Sequence, residues 1–301
     1  MIPFLQLFQA WRERGWQPIE SSEYAATWFC HGGSVATHPD VVAGLSQLAG
    51  LPVRYLGHRQ DGEIVGAIAT WDRHLALSRQ ALKRFQKRDF FDLGNAEIIL
   101  PISPGLSIPV NFEMRYVSAL HQENIGNLKQ QKESLALARP PEDYSKKFLY
   151  NQRRELRLFE ERGGTVCNIL DFSPEQIAQM YADLFFRRWG FPVPAKSHLP
   201  AALEIMRPHM FGSVLKHESR PIAIQLLYRV ESPAWISVEY INGGVDPDFQ
   251  EFSPGSILSY LNTQAAWSHA RSAGKPLRYS FGRADRDYKN RWCHPVPVFR
   301  T

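Results

Sequence analysis

The order of patterns between residues 212 and 281 constrains the fold more than any other feature of the sequence. Three strand-like stretches come first, separated by short turns: 212–216, 221–230 and 235–241. A long helix pattern from residue 254 to about 273 follows, and a fourth strand-like stretch, 277–281, ends the run. This order predicts an α+β fold in which one helix crosses back onto the sheet.

The start of that helix is the first candidate binding site. Ser253 is a typical N-cap residue, Pro254 suits the first helical position, and Gly274 marks the end. The first turn of a helix leaves backbone N–H groups unpaired and carries partial positive charge, which favours phosphate. We therefore predict that Ser253, Gly255 and Ser256 bind a cofactor phosphate, with Gly255 allowing close approach to the backbone. An ordinary cap without a ligand would have the same sequence.

The segment after the last strand is the second candidate. Gly282 is followed by five charged residues within seven positions: Arg283, Asp285, Arg286, Asp287 and Lys289. Loops at strand ends collect binding residues, and this much charge has no simple role in packing. We predict that the segment binds substrate through Arg283, Asp285 and Arg291. A solvated turn with internal ion pairs is the alternative.

A helix pattern at residues 145–164 is the third candidate, because it gathers cations on one side. At about 100° per residue these cations share one face or lie beside it: Lys146, Lys147, Arg153, Arg154 and Arg157. Binding of phosphate needs such a density of positive charge, so Lys147 and Arg154 are candidate substrate-binding residues. An ordinary solvated helix face would show the same pattern.

Glu239 is a carboxylate within the strand-like stretch 235–241. A carboxylate in that position acts as a general base if it is partly buried, and we therefore include it as a candidate catalytic residue. The alternative is an exposed strand position with no chemical role.

Composition limits the partners of the chain. Its 301 residues have a formal net charge of +5, which favours anionic partners or serves solubility alone. The three cysteines, Cys30, Cys167 and Cys293, are odd in number and far apart, so the sequence predicts neither a disulfide framework nor a metal site. A reducing compartment, the cytoplasm, is expected. No P-loop, dinucleotide fingerprint, zinc-protease motif or hydrolase nucleophile elbow is present.

The first residues carry an apolar pattern that has two interpretations. Phe4, Phe8 and Trp11 fall at helical spacing, without the basic region or cleavage site of a secretion signal. This face packs onto the protein's own core, or it attaches a basic protein weakly to an anionic membrane surface. No run is long enough to predict a membrane-spanning helix.

A polar stretch at residues 122–142 is the best candidate for a domain boundary. It is rich in Gln and Lys and ends in Arg139-Pro140-Pro141, where two prolines interrupt regular structure. We therefore predict two domains, 1–140 and 141–301. In the first, a helix at 40–49 and strands at 53–56 and 64–71 are expected.

Three segments together resemble the Fem-like aminoacyltransferase branch of the GNAT superfamily: the basic helix at 145–164, the run from Gly243 to Gly255, and the ending from Phe281 to Trp292. The first block resembles a degenerate first GNAT unit, through Gly32-Gly33-Ser34, His38-Pro39 and the stretch 61–66. Across nearly the whole chain the sequence is similar to the macrophage-inducible-gene family of Gram-negative bacteria. That family is implicated in resistance to cationic antimicrobial peptides and associated with the inner membrane.

The resemblance implies a tandem GNAT-like fold, with two mixed sheets flanked by helices and a groove between the units. Lys289 would then stabilise charge that develops during acyl transfer, and Arg154 would hold a phosphate. The donor would be an acyl-CoA or an aminoacyl-tRNA. The GNAT pyrophosphate signature is not intact, because Gln250 is followed by only one glycine, Gly255, and this places acyl-CoA in doubt.

The resulting expectation is an N-acyl- or aminoacyltransferase on the cytoplasmic side of the inner membrane. It would act on an anionic, phosphate-bearing donor or envelope precursor and support virulence through peptide resistance. A non-catalytic binding protein on the same scaffold is the alternative. A nucleic-acid-binding regulator is a third interpretation, but no DNA-reading motif is present and no specific DNA partner is expected.

Overall fold

The computed structural model describes residues 13–301, and its first part contains a small antiparallel sheet with two helices. The four strands lie in chain order: β1 (Trp16–Pro18), β2 (Arg54–Gln60), β3 (Glu63–Trp71) and β4 (His74–Leu75). Helices α1 (Ser21–His31) and α2 (Pro39–Ala49) lie between β1 and β2 in the chain. The helix and the two strands expected in this part are confirmed as α2, β2 and β3.

A second sheet of nine strands organises the rest of the molecule. In chain order its strands are β5 (Val117–Ser118), β6 (Lys129–Ala138), β7 (Gly164–Asn168), β8 (Met210–Phe211), β9 (Ser213–His217), β10 (Arg220–Glu231), β11 (Ile236–Val245), β12 (Leu277–Arg283) and β13 (Cys293–Arg300). In space the order is β5-β13-β6-β12-β11-β10-β9-β7, and β8 pairs with β10. β11 and β12 are parallel and the other pairs are antiparallel, so this sheet is mixed. The first sheet, which was also expected to be mixed, is antiparallel throughout.

Five further helices complete the fold: α3 (Arg79–Arg84), α4 (Lys146–Glu161), α5 (Pro174–Trp189), α6 (Leu199–Met206) and α7 (Pro254–Ser272). α7 connects β11 to the parallel strand β12, which confirms the crossover that the order of patterns predicts. The α+β class, with helices beside two sheets, is confirmed as well. Between residues 13 and 301, no helix has the length and apolar character needed to cross a membrane.

A glycine of β11 allows α5 to pack closely against the sheet. A Cβ atom at Gly244 would lie 2.5 Å from Cβ of Leu184 and 2.6 Å from the backbone nitrogen of Phe185. At Gly243 a Cβ atom would instead meet the sheet itself, 2.6 Å from the hydroxyl of Tyr240 and 2.9 Å from the carbonyl oxygen of Ile224. A larger residue at position 244 would push α5 away, so Gly244 fixes the distance between this helix and β11. The C-terminal end of α5 thereby comes to lie beside the end of β11.

The polar stretch expected to separate two domains contains a strand of the second sheet. β6 begins at Lys129, pairs with β13 and β12, and ends at Ala138, just before Pro140. The division at residues 140 and 141 stays a prediction, but the second sheet includes strands from both sides of it. β6 was missed because only part of it is apolar: its last four residues are buried, whereas most of its earlier residues are not.

The two halves share one apolar core. A continuous cluster of buried side chains includes Trp28 and Val41 from the first half and Leu203 and Leu226 from the second. α2 and α6 approach so closely that a Cβ at Gly44 would lie 2.5 Å from Cγ2 of Ile205. The predicted apolar face of Phe4, Phe8 and Trp11 lies outside the described residues.

Candidate functional site

A cleft opens where the parallel strands β11 and β12 separate. Their pairing runs from Ile236 opposite Leu277 to Glu239 opposite Ser280 and then ends. Beyond that point β11 continues along β10, and β12 pairs with β6 instead. Diverging strands leave unpaired space between them, and side chains from α5, α7 and the 287–291 turn surround it.

The cleft consists of two adjoining cavities of about 580 and 510 Å³. Arg188, Tyr240 and Tyr288 line both of them. We call the larger cavity, at the start of α7, the helix end of the cleft. We call the smaller cavity, which is lined by Lys289 and Asp285, the lysine end.

The helix end contains all three residues predicted to bind a cofactor. Ser253, Gly255 and Ser256 line it, together with Arg291 from the predicted substrate set. Ser253 adopts the left-handed conformation (φ 52°, ψ 48°), and its side chain makes no capping hydrogen bond. The helix start is therefore confirmed, but the expected cap is not formed. No side chain caps the first turn, but the N–H groups of Ser256 and Ile257 donate to the carbonyl oxygen of Ser253. Pro254 has no N–H, so within the described residues the N–H of Gly255 is the first-turn donor left for a ligand.

Gly255 keeps this wall of the cavity open. A Cβ atom there would meet only Cγ2 of Val245, at an ordinary contact distance of 3.7 Å. The backbone conformation does not demand glycine either, since Gly255 is not among the residues with positive φ. The packing of the chain therefore gives no reason for glycine at this position. The remaining physical role of Gly255 is to leave space for a ligand against the backbone.

A buried carboxylate fixes the loop that leads into α7. Asp246 is fully buried (0% exposed), accepts a hydrogen bond from Arg220, and lies 3.6 Å from Nη1 of Arg187. Its other oxygen accepts from the backbone N–H of Asp248 at 3.2 Å. This arrangement ties the start of α7 to α5 and β10, so the first-turn amides are held in place before any ligand arrives.

The floor of the helix end is a buried polar network. Gln225 donates from Nε2 to the hydroxyl of Ser259 at 3.1 Å and accepts from Nδ2 of Asn262 at 2.8 Å. The hydroxyl of Ser259 in turn donates to the carbonyl of Gly255 at 2.9 Å. Such linked hydrogen bonds hold side chains in one arrangement.

Lys289 lines the lysine end together with two other cations, Arg188 and Arg286. Its Nζ donates to the carbonyl oxygen of Arg283 at 2.6 Å and lies 3.4 Å from Oδ1 of Asp285. Arg283 pairs with the same carboxylate at 2.9 Å. Burial lowers the pKa of Lys289, although the charge of Asp285 opposes that shift. The internal ion pairs expected of a solvated turn are thus present, but they hold Lys289 against a cavity.

Glu239 is placed behind the cleft, and it lines neither cavity. It is 1% exposed, and its Oε1 accepts a hydrogen bond from the backbone N–H of Glu97 at 2.9 Å. Glu97 itself pairs with Arg278, whose Nε donates to it at 2.8 Å. Burial, followed by the charge of Glu97, raises the pKa of Glu239 well above its ordinary value. Burial therefore favours the neutral form of this carboxyl, which lies at the junction of the two halves.

The two cations of α4 that were predicted to bind substrate do not line the cleft. Lys147 and Arg154 are both exposed, and neither is among the residues that line the cavities. The charges of Arg154 and Arg291 lower the pKa of Glu155, while burial of Glu155 raises it and dominates. Binding of substrate by Lys147 and Arg154 stays a prediction.

Four cleft residues were missed by the sequence reasoning. Arg188 lies in the last turn of α5 and donates to the carbonyl of Gly243 at 3.2 Å, a contact that depends on the packing of α5 against β11. Tyr240 and Tyr288 come from separate elements and meet only in the tertiary structure. Gln225 could have been found, because it is the one polar residue within the apolar stretch 221–227.

Comparisons with known proteins fit this geometry. The crystal structure of FemX superimposes with a TM-score of 0.52 at 13% identity, covering 95% of this chain and 96% of that one. The C-terminal domain of a protein described as a lysylphosphatidylglycerol synthetase, from Agrobacterium fabrum, gives a TM-score of 0.50 at 12% identity, covering 93% and 90%. These similarities confirm the predicted tandem GNAT-like, Fem-like fold.

No curated protein matches the chain in sequence. The profile of the Mig-14 family matches residues 38–301, which is most of the chain and includes every residue of the cleft. The resemblance to the macrophage-inducible-gene family is thereby confirmed, and the chain belongs to the Mig-14 family.

Proposed function

We propose that the chain transfers an acyl or aminoacyl group from a phosphate-bearing donor to an amine or hydroxyl of an envelope component. The observation that carries this proposal is the cleft between β11 and β12. It places a helix start without a side-chain cap and a half-buried lysine in two cavities that share Arg188, Tyr240 and Tyr288 as lining residues. Binding of phosphate and stabilisation of a developing oxyanion need these two features.

The helix end suits the phosphate of the donor. The amides after Ser253 carry partial positive charge, and Arg188 and Arg291 add two full charges to the same cavity. Gly255 allows the phosphate to approach the backbone. The donor classes expected from the sequence, acyl-CoA and aminoacyl-tRNA, both carry phosphate, and the incomplete pyrophosphate signature around Gln250 favours the second.

The lysine end suits the reacting carbonyl. The acceptor attacks the carbonyl carbon, a new bond forms, and the carbonyl oxygen becomes negative. Lys289 would stabilise that oxygen, and the bond to the leaving group then breaks as the leaving group takes a proton. Of the two proton acceptors expected, Glu239 and water, water fits better, because Glu239 does not line the cleft.

For the acceptor, we infer an anionic phospholipid or a lipid-linked envelope precursor. A domain of similar fold belongs to a protein described as a lysylphosphatidylglycerol synthetase. Phosphatidylglycerol, which is part of that name, is an anionic phospholipid. Attaching an aminoacyl group to an anionic lipid adds positive charge to a surface, which weakens attraction of cationic peptides. This would account for a role in peptide resistance and for peripheral association with the inner membrane.

A ligand screen by thermal unfolding tests the donor. Acyl-CoAs, aminoacyl-tRNA, phosphatidylglycerol and lipid-linked precursors are added separately to the full chain. A true ligand at 100 times its Kd raises the free energy of unfolding by about 2.7 kcal/mol. Loss of the shift in Gly255→Ala, with unchanged stability, supports the helix end as the phosphate site.

Lys289→Ala tests the transfer itself. We expect loss of resistance and of transfer, with normal abundance and folding. Lys146→Ala, an exposed lysine of α4 outside the cleft, is the matched control. Full resistance in Lys289→Ala would remove the catalytic role.

The same experiment separates a binding protein from an enzyme. A non-catalytic protein on this fold is favoured by one observation, namely that no carboxylate other than the ion-paired Asp285 lines the described cleft. That alternative predicts ligand-induced stabilisation in the wild type and retained resistance in Lys289→Ala.

A further inference from the structure

Two histidines and an aspartate from distant parts of the chain meet away from the cleft. His38 precedes α2, Asp40 lies in its first turn, and His209 belongs to the turn between α6 and β8. One possible ligand atom from each of the three lies within 4.8 Å of the others. The separation of more than 160 residues between His38 and His209 explains why sequence reasoning predicted no metal site.

Between residues 13 and 301, none of the three side chains makes a hydrogen bond or an ion pair, although the His38 ring contacts the rings of Trp28 and Phe29. His38 is 7% exposed, and its Nδ1 is buried without a hydrogen-bond partner. A buried unpaired nitrogen costs free energy unless something binds it. As N-cap residue of α2, His38 makes no side-chain capping bond. The imidazoles of His38 and His209 contact each other edge to face, with ring centroids 4.6 Å apart.

The protonation state of the histidines suits metal binding. Burial and, secondarily, the neighbouring His209 lower the pKa of His38 to about 4, although Asp40 opposes this. Burial lowers the pKa of His209 as well. Burial thus favours the neutral form of both rings, in which a ring nitrogen offers a lone pair for coordination.

The backbone holds both histidines rigidly. Pro39 follows His38 at the first position of α2, and Pro208 precedes His209 in its turn. Proline fixes φ, so less conformational freedom is lost when a ligand binds. The close approach of α2 and α6 at Gly44 and Ile205 brings these two segments together without a metal.

We propose that His38, Asp40 and His209 form a binding site for a divalent transition-metal ion, such as zinc, that links the first half of the chain to the second. Two imidazoles and one carboxylate suit zinc, whereas magnesium and calcium prefer oxygen ligands. Three protein ligands leave a position for water. Because His38 and Asp40 come from the α2 side of the α2–α6 contact and His209 from the α6 side, bound metal would stabilise the junction of the two halves.

The test uses the full chain, purified without a histidine tag and treated with a chelator. Cobalt(II) is titrated and its visible absorption is recorded, and unfolding temperature is measured with zinc and with magnesium. We expect one bound cobalt per chain, a higher unfolding temperature with zinc, and no effect of magnesium.

His209→Gln and Asp40→Asn remove single ligands from partly or fully exposed positions, so folding is expected to persist in the chelated state. Each should weaken binding of cobalt by at least about tenfold and abolish the zinc-dependent rise in unfolding temperature. The control variants His294→Gln and Cys30→Ser, which change an exposed imidazole and an exposed thiol, should bind cobalt like the wild type. The proposal would be overturned if cobalt does not bind stoichiometrically, or if His209→Gln and Asp40→Asn bind it like the wild type. The two histidines would then form an edge-to-face contact only.

Discussion

The backbone N–H of Glu97 donates a hydrogen bond to Oε1 of Glu239 across 2.9 Å and thereby joins the first half of the chain to strand β11. Both carboxyl groups are 1% exposed, and only Glu97 has a guanidinium partner, Arg278. A lone carboxyl in this environment is favoured in its protonated form. The junction is therefore sensitive to pH, independently of the cleft.

Glu239→Gln should change how stability depends on pH. The pKa of Glu239 in the folded protein is raised above its ordinary value of 4.5. The stability that this group contributes is therefore fully present below pH 4.5 and is lost as pH rises through the folded-state pKa. Glutamine keeps the acceptor for the N–H of Glu97 but cannot ionise, so the loss should disappear. Denaturant unfolding of both proteins at pH 5, 7 and 9 measures this loss of stability. The expectation is contradicted if the free energy of unfolding depends on pH in the same way for both proteins.

The same variant tests the predicted catalytic role of Glu239. If transfer needs Glu239 as a base, Glu239→Gln is inactive at every pH. If Glu239 acts only at the junction, transfer persists, with KM and kcat close to those of the wild type.

Lys289→Arg should change the alkaline limit of transfer. Burial lowers the pKa of Lys289, so its charge is lost at a lower pH than that of a free lysine. Stabilisation of an oxyanion requires the charged form, and activity should fall as pH rises through that pKa. Arginine stays charged, so the variant should keep its activity to higher pH, although its level is lower because the geometry differs. A pH profile of kcat/KM that is the same for both proteins would exclude Lys289 as the titrating group.

Lys289→Ala should lower turnover by about 100-fold or more, the usual effect of removing an oxyanion-stabilising group. Single-turnover rates with saturating donor give this value directly. A change in KM alone would instead indicate a role in binding.

Gly255→Ala separates binding from folding. The added methyl group has room in the protein, because its nearest neighbour is Cγ2 of Val245 at 3.7 Å. Alanine also favours helix, so stability should be unchanged or raised by up to about 1 kcal/mol. Binding of the donor should weaken, because the methyl group occupies the space beside the first-turn amides. Calorimetric unfolding and donor titration of the same sample measure both effects.

Asp246→Ala should destabilise the protein and disorder the start of α7. The carboxylate is fully buried and engages Arg187 and Arg220, which are about half exposed. Losing its charge-assisted hydrogen bonds should cost about 2 kcal/mol. Asp248→Ala is the control, because that side chain is 68% exposed and its ion pairs contribute less than about 1 kcal/mol. Equal effects of the two variants in chemical unfolding would contradict this account.

The sequence by itself determined the elements around α7. The start at Pro254, the stop near Gly274 and the strands on either side follow from local preferences of proline, glycine and apolar residues, and these act wherever such residues stand. It also predicted the charged segment that contains Lys289, because a cluster of charged residues after a strand is evident from the amino-acid sequence alone. The resemblance to Fem-like proteins predicted that these segments belong to one fold in this order along the chain.

Only the tertiary structure decided which of these residues share a cleft. Arg188 enters it because Gly244 lets α5 lie against β11, and Glu239 is excluded because the first half of the chain covers it. The sequence did not predict strands β6 and β13. These two strands pair with each other, and the paired residues are more than 150 positions apart in the chain. The contact between His38 and His209 was not predicted for the same reason, since the two residues are far apart in the chain. Local sequence specifies the conformation of a segment, whereas contacts between distant segments depend on the packing of the whole core.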